Sequence, residues 1–170
     1  MFPIIHKSAE QGCKEDYSDI LNGLGARYID HGSFATVYTL HSKKQVVKIG
    51  AIKGNESYLK FVEELSKAKK HNPYFPKIEK VEFYGNLTFA VFMEKLAPWQ
   101  HPDARRLAED IEDCVRYTWA TPNVALYSAG VLLRKVKDHH WSFQLDLHRY
   151  NIMLRGAQLV FIDPLANFSD

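Results

Sequence analysis

Hydrophobic spacing changes period several times along the chain, and each change marks an element. Residues 34–40 (Phe-Ala-Thr-Val-Tyr-Thr-Leu) and 45–49 (Gln-Val-Val-Lys-Ile) are β-branched and aromatic runs separated by the polar stretch His41-Ser42-Lys43-Lys44, which predicts two strands. Between 55 and 70 the period lengthens, with Tyr58, Phe61, Val62, Leu65 and Ala68 at helical spacing. Asn55 is placed to cap that helix, and Asn72-Pro73 ends it. Strand patterning returns over 78–84 and 87–93 around Gly85-Asn86, a hairpin signal. The stretch 97–102 (Ala-Pro-Trp-Gln-His-Pro) reads as a connector. Helices are expected over 103–119 and 122–139, the second opening on Thr121-Pro122, a cap followed by proline at the first helical position. Short strands follow at 151–154 and 158–162 about the turn Arg155-Gly156-Ala157. This order predicts an α+β chain of two lobes, β-rich over 1–96 and helical over 97–170, joined by a hinge.

Composition mainly excludes. The 170 residues make about one domain, and no internal repeat breaks them up. With 46% hydrophobic and 13% aromatic residues the chain has enough to bury a core, so it is not intrinsically disordered. No uncharged apolar run approaches the roughly 20 residues of a membrane span. A net charge of +2 does not mark a nucleic-acid or membrane-surface partner. The start, Met1 to Lys7, lacks the basic-then-apolar build of a signal peptide. Cys13 and Cys114 make neither a disulfide framework nor a zinc site. A cytoplasmic protein with free thiols is the expectation.

Three segments carry candidate chemistry. In Asp30-His31-Gly32-Ser33-Phe34-Ala35-Thr36-Val37, a glycine between antiparallel strands lets backbone amides approach a phosphate while an aromatic tip closes over it. The same segment is also readable as an ordinary hairpin turn. Lys48 lies in an apolar strand, with Val47 and Ile49 on the opposite face, so it faces solvent or meets a carboxylate. Glu64, at the edge of a helical apolar face centred near Leu65, is better placed for that than Glu63. The third segment is the most specific. Asp146 precedes Asn151 by five residues in Leu-Asp-Leu-His-Arg-Tyr-Asn-Ile-Met, and twelve residues later Asp163 ends the apolar run Val-Phe-Ile. Phosphoryl transfer needs this set: one carboxylate to accept a hydroxyl proton, and an amide and a second carboxylate to hold the metal. His139-His140-Trp141 reads as a helix terminus, where cationic histidines suit the dipole, rather than as a metal site. The Lys67, Lys69, Lys70 and His71 cluster reads as a solvated helix end, and Cys114 as packing.

Taken in order, Gly32 to Val37, Val-Val-Lys48, Glu64, Phe92-Met93-Glu94, Asp146-x-His-x-x-Asn151 and Ile-Asp163 resemble the protein-kinase-like fold. More narrowly, Gly32 to Tyr38, Val46 to Gly50, Asp146 to Met153 and Asp163-Pro164 are similar to the early serine/threonine protein kinases of Teseptimavirus-type bacteriophages. The resemblance covers about residues 23–170 and leaves 1–22 without a reading. It implies a minimal two-lobed α+β fold with a truncated helical C-lobe, using ATP with Mg2+ or Mn2+ to phosphorylate host proteins in the host cytoplasm. By the same resemblance Lys48 would bind the α/β-phosphates and pair with Glu64, and Asp146 would be the catalytic base. Asn151 and Asp163 would ligate metal. Gly32, Ser33, Phe34 and Val37 would cover the nucleotide. Met93 would be the gatekeeper, and backbone groups around Glu94 and Leu96 would bind adenine. His148 would stand in for a lysine that touches the transferred phosphate.

The chain also departs from the family. Gln144-Leu145 precede Asp146 instead of His-Arg, and Pro164-Leu165 replace Phe-Gly after Asp163. The sequence stops seven residues beyond Asp163, leaving no activation segment for peptide docking. Two other readings stand beside the kinase: a kinase-fold protein that binds and inhibits a host factor, and a small-molecule kinase of the aminoglycoside type. A homodimer would supply missing surface in each case.

Overall fold

The computed structural model describes residues 3–7, 21, 23, 25–32, 35–40, 44–99, 104–117, 122–139 and 142–167. The expected Ser33, Phe34, Thr121, His140, Trp141 and Cys13 features lie outside these residues. The fold is mixed α+β, with three α-helices among the described residues and sheets that are almost wholly antiparallel. No helix among them is long and apolar enough to cross a membrane. The chain divides into two compact units, one formed by 1–56 and 77–95, the other by 57–76 and 96–170.

In the first unit, β1 (Ile4–Lys7), β2 (Arg27–His31), β3 (Ala35–Thr39), β4 (Gln45–Ala51), β5 (Ile78–Tyr84) and β6 (Thr88–Glu94) form one sheet in the order β1-β5-β6-β4-β3-β2. Only β1 pairs in parallel, against β5. Its four residues give no period to detect, so the pairing was not visible in the sequence. The two faces of the sheet differ, as strand alternation requires. One carries a buried cluster of Val47, Ile49, Tyr84, Ala90 and Phe92, with Leu21, Tyr38 and Leu40 packed on it. Lys80 lies 4.1 Å from the Phe92 ring centre and pairs with the buried Glu82 at 2.8 Å. The register puts Val37, Lys48 and Val91 directly opposite one another across β3, β4 and β6. These three share the other face with Val46 and Met93.

In the second unit, α1 (Glu56–Lys67) buries Tyr58, Phe61 and Val62, and Phe61 meets Phe75 edge-on with ring centres 5.0 Å apart. Asn55 stands just before the helix, at the expected cap position. The Ser57 N–H is satisfied from elsewhere, by Asn167 Oδ1 at 3.0 Å, which supplies a first-turn orphan with its acceptor. Helices α2 (Ala104–Tyr117) and α3 (Val124–His139) pack through Ile111, Val115, Leu126, Ala129, Leu133 and Val136. The start of α3 corrects the expectation of Thr121 and Pro122. The helix opens at Val124, and Asn123 caps it by accepting from the Leu126 N–H at 3.0 Å. The segment 97–102 is not all connector, because β7 (Ala97–Pro98) pairs with β9 (Ile152–Arg155).

Strand β9 continues through a two-residue turn into β10 (Gln158–Phe161). Gly156 makes the turn with φ of +60°, a conformation only glycine adopts cheaply. A two-stranded pair joins β8 (Phe143–Leu145) to β11 (Leu165–Asn167). The irregular stretch after α1 is held by side chains. Arg155 donates to Pro73 O at 3.0 Å and Phe75 O at 2.9 Å, and the Asn72 amide donates to Ala125 O at 2.8 Å.

Candidate active site

The second unit gathers Asp146, His148, Asn151 and Asp163 onto two adjoining pieces of backbone. Strand β8 ends at Leu145 and delivers Asp146, and a short 3-10 turn, Arg149–Asn151, folds the chain back into β9. Within that turn the Asn151 N–H donates to His148 O at 2.9 Å. The five-residue spacing from Asp146 to Asn151 is therefore the span of one tight turn, which brings the two side chains together. The Asn151 amide nitrogen donates to Asp146 O at 2.9 Å and to Asp146 Oδ2 at 3.0 Å. The same nitrogen lies 3.3 Å from His148 Nε2, so these contacts run through the amide nitrogen and not through its oxygen.

Asp163 is fixed by main-chain bonds on either side of it. The Ile162 N–H donates to Asn151 O at 2.9 Å, and the Asp146 N–H donates to Pro164 O at 2.9 Å. The residues flanking Asp163 are thus tied to the residues that form the pair. Asp163 is half-buried, with its Oδ1 shut off from solvent. The fully buried Tyr58 hydroxyl is pushed well above its ordinary pKa, first by burial and then by the charge of Asp163. Sequence reasoning missed Tyr58 as part of this neighbourhood, since helical spacing showed it only as core. Asp146 itself is 35% exposed and His148 50% exposed, so both are open to solvent. His148 Nε2 lies 3.4 Å from Asp146 Oδ1.

Glu64 is buried, at 8% exposure, and both of its carboxylate oxygens are engaged inside its own unit. Lys135 of α3 pairs with Oε2 at 2.5 Å and Lys67 with Oε1 at 2.8 Å. Together, Lys135 first, they hold its carboxyl down to about 2. Lys67, which also pairs with Glu63, is pushed up to about 12 by Glu63 and then Glu64. Lys135 was absent from the sequence reading. A surface lysine on a distant helix carries no local signal.

The first unit holds the remaining predicted residues. Lys48 is half-buried between Val37 and Val91 on the sheet face that also carries Met93. Gly32 closes the β2–β3 connection, its N–H donating to Ala35 O at 2.8 Å. Among the described residues, a methyl group at Gly32 would meet Ala35 O at 3.8 Å, an ordinary van der Waals contact. Glu94, at the end of β6, accepts from the Lys77 N–H through Oε1 at 2.7 Å. Leu96 is buried and belongs to the second unit.

Both metal candidates, Asn151 and Asp163, are oxygen donors, the chemistry a hard divalent cation prefers. Among the described residues no cluster of three or more histidine, cysteine or carboxylate side chains offers a different metal site.

No family model and no curated protein matches the chain. Among solved structures it is similar to the crystal structure of the BubR1 kinase domain, at 13% identity and a TM-score of 0.44. The alignment covers 84% of this chain and 46% of that one, so the chain spans less than half the length of the structure it matches.

Proposed function

We propose that the chain is an ATP-dependent phosphotransferase on a reduced protein-kinase-like fold. The observation that carries this reading is the Asp146–Asn151 pair, joined by two hydrogen bonds of 2.9 and 3.0 Å, with Asp163 held beside it through its neighbours' main chain. A carboxylate fixed in this way and open to solvent is suited to accept the proton of an incoming hydroxyl. The Asn151 amide oxygen and the Asp163 carboxylate would hold Mg2+ or Mn2+. When bound, that ion would neutralise charge on the ATP phosphates. Lys48 would contribute a cation from an apolar strand, with Val37 and Met93 on the same face offering apolar surface to a nucleotide base. The acceptor we assign is a serine or threonine hydroxyl of a host-cell protein in phage infection. Support for that narrower assignment is the resemblance of Gly32 to Tyr38, Val46 to Gly50 and Asp146 to Met153.

The test is incubation with γ-labelled ATP and magnesium, with and without bacterial lysate, beside Asp146→Ala and Asp163→Ala. Label on lysate proteins that vanishes in both variants is the expected result. Loss of a general base alone removes on the order of 10²- to 10⁴-fold in rate. No label from a folded wild-type chain would overturn the reading in favour of a binding protein.

A further inference from the structure

We propose that Asn167 is a positioning residue for Asp163: by accepting from the first turn of α1 it anchors strand β11, and β11 holds the Asp163 carboxylate in place beside Asp146 and Asn151. The role given to Asp163 rests on the phosphotransferase reading; the anchoring itself does not.

Strand β11 has little of its own to stand on. It is three residues long and belongs to a sheet of two strands, with Leu165 opposite Leu145, Ala166 opposite Gln144 and Asn167 opposite Phe143. A two-stranded pairing of this length is marginal in water without support from another element. The antiparallel register puts both aspartates at the same end of the ladder, Asp146 one residue past Leu145 and Asp163 two residues before Leu165. Pro164 has no N–H, so its main chain ties to the site through the carbonyl alone, which accepts from the Asp146 N–H at 2.9 Å.

The support comes from α1. The Ser57 N–H donates to Asn167 Oδ1 at 3.0 Å, and the Ser57 hydroxyl donates to Leu165 O at 3.2 Å. Ser57 and Leu165 are each 2% exposed, so water hardly competes for these bonds. A first-turn N–H has no acceptor within its own helix, and Asn167 provides one. Tyr58, the next residue on α1, is fully buried and feels the charge of Asp163, which sets the same turn of the helix close to Asp163 itself. From Asp163 to Asn167 the chain runs about 13 Å when extended, a tether that transmits a shift where a slack loop would absorb it. The Asp146 carboxylate depends less on this strand, because the Asn151 amide holds it at 3.0 Å within one turn. Loosening Asn167 should therefore displace Asp163 and leave the Asp146–Asn151 pair standing.

Amide hydrogen exchange on the full chain tests the anchor. In wild type the Ser57 N–H should be protected, although first-turn amides ordinarily exchange freely. In Asn167→Ala it should exchange on the order of tenfold faster or more, together with the Ile162 and Asp146 amides whose bonds flank Asp163, while the Asn151 amide keeps its rate. Asn167→Asp retains an acceptor oxygen and should restore wild-type rates. Ser57→Ala, which removes only the hydroxyl bond to Leu165 O, is the milder change and should speed the Ile162 amide by a smaller factor, which keeps the test open if Asn167→Ala does not fold. A freely exchanging Ser57 amide in wild type would overturn the proposal. So would acceleration spread evenly over the chain, an unchanged Ile162 amide in Ser57→Ala, or an Asn167→Asp chain as loose as Asn167→Ala. The effect on the site is read by calorimetry with Mn2+ and a non-hydrolysable ATP analogue. Mn2+ should bind on the order of tenfold more weakly to Asn167→Ala and within a few-fold of wild type to Asn167→Asp. Equal Mn2+ affinity in all three chains would overturn the positioning role. A folded wild type that binds neither Mn2+ nor the analogue refutes the phosphotransferase reading instead, and the exchange rates then decide the anchoring alone.

Discussion

Replacing Lys135 by methionine keeps the length of the side chain and removes the first of the two cations on Glu64. The displacement of the Glu64 carboxyl from 4.5 to about 2 would, carried in full, correspond to roughly 3 kcal/mol in favour of the ionised pair. The lysine side chains are 52% and 55% exposed, and solvent screens such charges strongly. About half of the full figure or less survives, and Lys135 accounts for the larger share, so Lys135→Met should cost on the order of 1 kcal/mol at pH 7. In a chain of this size that is about 2–4 °C of melting temperature. The folded-state value of Glu64 is depressed, so its stabilisation is present above the unfolded value, near 4.5, and fades as pH falls towards 2. Thermal melts of wild type and Lys135→Met should therefore differ at pH 7 and converge between about pH 5 and pH 2. Coincident melting at pH 7 would refute the reasoning, and so would a gap that stays constant down to pH 2.

Phe61 is fully buried against Phe75, so Phe61→Ala should cost about 3–5 kcal/mol and lower the calorimetric melting temperature by roughly 10 °C. Asn123→Ala removes the cap of α3 and should cost about 1 kcal/mol in urea titration, while Asn123→Asp, which keeps an acceptor for the Leu126 N–H, should cost less. If Lys48 reads ATP phosphates, Lys48→Ala should weaken ATP binding by about tenfold or more in calorimetric titration. Asp146→Ala should leave that affinity nearly intact, and equal affinity for wild type and Lys48→Ala would count against the nucleotide site.

Elements with several residues of consistent period were legible in the sequence; short ones were not. Helix α1 and the strands β3 to β6 announce themselves through Phe61, Val62, Val47, Ile49 and the alternation on either side of Gly85. Strands β1, β7, β8 and β11 are two to four residues long, and their pairing is set by what the rest of the chain brings beside them. The same division runs through the site. Asp146 and Asn151 are close because one turn separates them, so spacing sufficed. Helical phase placed Glu64 at the edge of a buried face, but which cations meet that edge depends on how α1 packs on α3. Asn167 as the acceptor for the first turn of α1 was out of reach for the same reason, since its sequence distance from Ser57 is 110 residues.

The chain passes between its two units three times, at 56/57, 76/77 and 95/96. This has a consequence for synthesis. Residues 57–76 leave the ribosome early, yet the groups that satisfy them come from Lys135, Arg155, Leu165 and Asn167. At elongation rates of roughly 5–20 residues per second, Ser57 waits about 5–20 seconds for Asn167. During that interval Tyr58, Phe61 and Val62 form an apolar surface with no finished core to cover it. The nascent chain should be a chaperone client in this window, and a fragment cut at residue 96 would hold it open permanently.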